Sequence, residues 1–132
     1  MDSNFSGSWR TNLAKSKILF SPPRELVVQI DHAGDHLREE IIVLKEDGSK
    51  ERAVFTCSTD GGEGQRTLNG RAIRGRSYWI GNELVIESWI ELGNRELHFR
   101  DCWSLAENGQ MLVMAHRDDA LAGQVTVLER AE

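Results

Sequence analysis

At 132 residues, 39% hydrophobic and 28% charged, the chain is sized for a single soluble domain, 1–132, built on one core. A net charge of −5 and a pI near 5.4 leave no basic excess to neutralise phosphates, so nucleic acid is not an expected partner. No apolar run approaches the roughly 20 residues that span a bilayer. No charged n-region with an apolar h-region opens the chain, so a cytoplasmic protein is expected, or an exported one if the start has been processed.

Phe5-Ser6-Gly7-Ser8-Trp9-Arg10-Thr11 is the expected first strand. An indole so early suits the plug at one end of a closed sheet, and Gly7 lets backbone pass close to it. From Leu13 to Arg24 two prolines and two serines break any regular element, and Ile18, Leu19 and Phe20 mark the segment as a flap over apolar surface. Period-two alternation follows. Leu26, Val28 and Ile30 alternate with Val27, Gln29 and Asp31; Leu37, Glu39, Ile41 and Val43 alternate with Arg38, Glu40, Ile42 and Leu44, and the run Ile41 to Leu44 is apolar on both faces. Asp47-Gly48 is a strong hairpin signal, and Arg52 to Thr59 carries Val54 on one face, Phe55 and Cys57 on the other.

Asp60-Gly61-Gly62-Glu63-Gly64 reads as a loop, and Arg71 to Ile80 as one extended strand with Ile73 and Trp79 on a common face. Leu84, Ile86, Ser88 and Ile90 face away from Val85, Glu87, Trp89 and Glu91. Leu97, Phe99, Asp101, Trp103 and Leu105 share the next face, and Met111 to Arg117 and Leu121 to Arg130 are the last strands. Strands joined by such short turns are antiparallel neighbours. An open meander of this length would expose two edges, which closure removes. The expected fold is therefore all-β, an antiparallel up-and-down β-barrel of about nine to ten strands, with a two-sheet sandwich as the alternative. An odd count would set the first and last strands parallel, so either Gln65 to Asn69 supplies a short tenth strand, the preferred reading, or one terminal strand overlaps the closure.

Ile86, Ile90, Leu97, Phe99, Asp101, Trp103 and Val113 are the expected inward set, the residues a ligand would touch. Asp101 stands in an apolar stripe, so it must be paired or hydrogen-bonded. It is either a polar anchor for a ligand, or half of a structural pair with an arginine, or seated near the barrel rim. Cys57 and Cys102, without zinc spacing, are expected as two free, partly buried thiols. The arginines at 71, 74 and 76 are either an anion contact or a solvated strand edge. His32, His36, His98 and His116 fall at turns or on mixed faces, and no two have metal-ligand spacing. His98 and Cys102 share a face but lie about 13 Å apart along a strand, too far for a nucleophile and its base. No metal, no cofactor and no catalysis are expected.

The chain resembles the calycin superfamily of lipocalins and fatty-acid-binding proteins. Gly7-Ser8-Trp9 is similar to the lipocalin Gly-x-Trp signature on the first strand, and the length and meander order are similar to the fatty-acid-binding branch. The resemblance implies a lipocalin-like barrel that holds a small hydrophobic or amphipathic ligand. It also implies a late basic residue packed on the first-strand indole. Arg117 and Arg130 are the candidates, and Arg117 is preferred because it shares a face with Met111 and Val113. The Arg-x-Tyr carboxylate clamp of the intracellular lipid binders has no counterpart in Leu128-Glu129-Arg130. The other reading is a non-catalytic structural or protein-interaction module with a filled barrel core; haem held by one of the histidines is a lesser one.

Overall fold

The alternating stripes become strands wherever turn chemistry permits a reversal. The structure, a computed structural model, describes residues 4–17, 24–59, 66–117 and 124–131. Its strands are β1 (Gly7–Thr11), β2 (Glu25–Ala33), β3 (His36–Leu44), β4 (Lys50–Ser58), β5 (Thr67–Leu68), β6 (Arg71–Ala72), β7 (Arg74–Ile80), β8 (Glu83–Leu92), β9 (Arg95–Ala106), β10 (Met111–His116) and β11 (Val125–Arg130). The expected flap residues Ile18, Leu19 and Phe20, and the start of the expected last strand at Leu121, lie outside the described residues. Among the described residues no helix is long and apolar enough to cross a membrane.

All eleven strands form one sheet in the order β6-β5-β4-β3-β2-β1-β11-β10-β9-β8-β7. Every pairing is antiparallel, and β1 lies between β2 and β11, with Trp9 opposite both Val28 and Arg130. The sequence reads Arg71 to Ile80 as one strand; the structure breaks it at Ile73, where the chain changes partner. Arg71 and Ala72 fold back on Thr67 and Leu68 through Asn69 and Gly70, whose φ angles of 53° and 81° are those of a tight hairpin. Arg74 to Ile80 pairs instead with β8. Since β6 and β7 run in the same sense, the sheet has ten directions. That even number lets β1 and β11 meet antiparallel, as the tenth-strand reading requires.

The barrel is nearly closed. Its two ends, β6 and β7, share no ladder, and side chains span the gap. Arg66, just before β5 and 2% exposed, donates from Nη1 to the Glu87 carbonyl at 2.7 Å and from Nη2 to Ser77 Oγ at 2.6 Å. Ser77 Oγ in turn lies 3.6 Å from the Cys57 sulfur on β4. Gly75 makes room for this, because a Cβ there would stand 2.8 Å from Arg66 Nη1.

One end of the lumen is filled. Trp9, Phe5, Leu37, Leu84, Leu112 and Leu128 are all fully buried there. Phe5 stacks on Trp79 at 5.8 Å and on His32 at 5.7 Å, and meets Trp103 edge-on. Trp9 donates from Nε1 to the Phe5 carbonyl at 2.9 Å. The guanidinium over its ring, 4.4 Å from the centroid, is that of Arg130 and not Arg117. The reason is register: Arg130 stands opposite Trp9 across β1 and β11, while Arg117 lies exposed beyond the end of β10, near Glu83. Gly7 is needed here, since a Cβ would fall 2.6 Å from Arg130 Nη1.

The same parity moves Val113. Met114 pairs with inward Trp103 and Leu112 with Leu105, so the inner face of β10 is Leu112, Met114 and His116. Val113 and Arg117 are on the outer face. Cys57 and Cys102 are free and buried, as expected.

Candidate functional site

At the other end the inward side chains do not meet, and they leave a cavity of about 290 Å³. Its wall is apolar: Ile41 from β3, Phe55 from β4, Leu68 from β5, and Ile86 and Ile90 from β8. Ile73 closes it at the break between β6 and β7, and Phe99 and Trp103 come from β9. Four polar residues also line it: Glu39, Ser88, Asp101 and His116.

Strand register brings two of these together, Asp101 and His116. Asp101 stands between Ile86 and His116 across the sheet, and its Oδ1 is 2.5 Å from His116 Nδ1. The structural partner of Asp101 is therefore a histidine rather than the expected arginine. Glu39 stands opposite Phe55 on β4 and Ile30 on β2. It is only 7% exposed, and among the described residues it makes no hydrogen bond. Burial, aided by the charge on Asp101, pushes its carboxyl up to about 8. At neutral pH Glu39 is thus a protonated acid on the cavity wall. Ser88 is already engaged, since its Oγ accepts from Arg66 Nη1 at 3.2 Å. Among the described residues no three His, Cys, Asp or Glu side chains are placed to hold a metal ion.

Five of the seven residues expected to face a ligand line this cavity: Ile86, Ile90, Phe99, Asp101 and Trp103. Leu97 is on the inner face opposite Ile90 but outside the wall, and Val113 is on the wrong side of its strand. Sequence reasoning missed Glu39 and His116 as members. For Glu39 the signal was present, since it interrupts the stripe of Leu37, Ile41 and Val43 as Asp101 interrupts its own. His116 follows from the parity of β10, where both faces are apolar and alternation decides nothing.

A second cluster lies on the outer face of β7, β8 and β9. Trp89 stacks on His98 at 4.8 Å, and Arg74 covers Trp89 at 4.9 Å while meeting Glu96 at 3.2 Å. Glu87 accepts from the Tyr78 hydroxyl at 2.7 Å and meets His98 at 3.0 Å and Arg76 at 3.5 Å. Burial alone would raise the Glu87 carboxyl. The hydrogen bonds from Tyr78 and His98 and the charge of Arg76 outweigh it and hold the group below its usual range. Two of the three clustered arginines are thereby matched to carboxylates and rings, which fits the strand-edge reading. Compared with protein-family models the chain matches none, and no curated protein matches it either, so the barrel and its cavity carry the functional argument.

Proposed function

We propose that the protein binds one small hydrophobic or amphipathic molecule in this cavity. The apolar body would lie against Phe55, Ile86, Ile90 and Phe99, and the polar end would turn toward Glu39, Asp101 and His116. One observation carries the reading: a space of about 290 Å³ walled by large apolar side chains, with Asp101 and His116 paired on its wall and Glu39 near enough to feel the Asp101 charge. An apolar cavity of about 150 Å³ already takes up benzene, so this one has room for a bicyclic ring. A carrier in a calycin-like barrel is also what the Gly7-Ser8-Trp9 resemblance implies, and the nearly closed antiparallel sheet is compatible with it.

Titration of an apolar fluorescent probe into the folded protein tests the reading. Saturation at one equivalent with micromolar affinity is expected. Phe99→Trp, which fills the cavity, should weaken binding about tenfold or more with the unfolding midpoint little changed. If the fully folded protein takes up no probe, the carrier reading fails and a filled interaction module becomes the better one.

A further inference from the structure

We infer that the occupant of the cavity is an apolar amine, a compact hydrophobic body ending in a protonated nitrogen that sits against the carboxyls of Glu39 and Asp101. This rests on the carrier reading above and names its ligand class.

The argument begins with the sign of the charge. The polar groups on the wall are two carboxyls, one imidazole and a hydroxyl. Carboxyls outnumber bases on this wall two to one, Glu39 and Asp101 against His116, and His116 is already paired with Asp101. A carboxylate brought into this apolar space would face a like charge with little water to screen it, whereas an ammonium would meet its opposite. The buried guanidinium of Arg66 does not reverse this. It lies behind Phe55, 5.6 Å from the ring centroid, and its Nη atoms are spent on the Glu87 carbonyl, Ser77 and Ser88. It is not part of the cavity wall.

Glu39 supplies the second, independent observation. It is more than nine-tenths buried, lines the cavity, and has no hydrogen-bond partner among the described residues. Buried carboxyls are ordinarily satisfied, so this one is an acceptor still open to the cavity it lines. An ammonium placed beside it favours the ionised form. Binding then converts the Glu39 acid and the ligand cation into an ion pair, and the Glu39 proton leaves to solvent. The other titratable groups near Glu39 are Asp101 on β9, His116 on β10 and the Cys57 thiol on β4, with Arg66 behind Phe55.

Three probes with one ring body separate the possibilities: naphthylmethylamine, naphthylmethanol and naphthoate. Calorimetry near pH 7, in two buffers of different ionisation enthalpy, gives both affinity and protons released. The amine should bind about tenfold tighter than the alcohol and about a hundredfold tighter than naphthoate, as one charge interaction at a desolvated site allows. The amine should release protons, and the alcohol should not. Glu39→Gln keeps the side-chain shape and buries no charge, so the barrel should fold. It should abolish proton release and most of the amine preference, lowering the amine's affinity far more than the alcohol's. Asp101→Asn should also reduce the preference. Naphthoate binding as tightly as the amine would overturn the inference, with the carrier reading still standing. Amine binding unaffected by either substitution would overturn it too. If none of the three probes binds the folded protein, the carrier reading falls and this inference falls with it.

Discussion

Below pH 4.5 Glu39 is protonated in both the folded and the unfolded chain, and above pH 8 it is ionised in both. Between these values the folded protein keeps a proton that the unfolded chain releases. Stability from this group is therefore fully present below pH 4.5 and is lost as the pH climbs toward 8, with a slope of at most about 1.4 kcal/mol per pH unit. Other groups titrate as well, so the useful quantity is the difference between wild type and Glu39→Gln in urea midpoints across this window. The variant should gain on wild type as pH rises; a constant difference would mean that water reaches Glu39. A second residue-scale test concerns the plug. Trp9→Ala should cost about 3–5 kcal/mol, the usual range for emptying a buried indole site. A double-mutant cycle should find a coupling of about 0.5–2 kcal/mol between Trp9 and Arg130 and none with Arg117. Gly7→Ala should also destabilise, because the position combines a φ of 140° with the close approach of the Arg130 guanidinium.

Two strands show how far alternation can be trusted. In β8, Ile86, Ser88 and Ile90 face the lumen as the pattern requires, because polar and charged neighbours mark the other side. In β10 the sequence Met111-Leu112-Val113-Met114-Ala115 offers apolar residues on both faces, so either parity satisfies it. The wrong choice moves every side chain at once, which is why Val113, Arg117 and His116 were misplaced together. The break between β6 and β7 was equally hidden, since Arg71 to Ile80 carries no glycine or proline at Ile73 to mark the change of partner. Arg66→Leu should leave the Glu87 carbonyl, Ser77 and Ser88 short of a donor, at about 1–3 kcal/mol for each buried group left unpaired. Amide exchange should localise the damage. The amides of β7 should exchange about tenfold faster or more while those of β1 and β11 stay protected. A uniform loss of protection would show Arg66 to be general core packing and not the bridge across the gap.

For the whole molecule, the meander, its antiparallel order and its closure through the first and last strands were legible, because short turns and period-two stripes are local properties. Local patterns do not say which end of the lumen is filled. That follows from where Phe5, Trp79, Trp103 and His32 converge, side chains drawn from four separate parts of the chain. The gap has a further, mechanical consequence. A hoop with a slit is far more compliant than a continuous one, and its compliance lies in a single direction. Because β6 and β7 stay joined through Ile73, this barrel can widen its girth only by splaying the two about that residue, which leaves every hydrogen-bonded ladder intact and stretches the contacts made by Arg66 and Ser77. Along any other diameter, deformation must shear paired backbone. Its elasticity is thus concentrated at one seam, and the stiffness of that seam is the grip of one arginine.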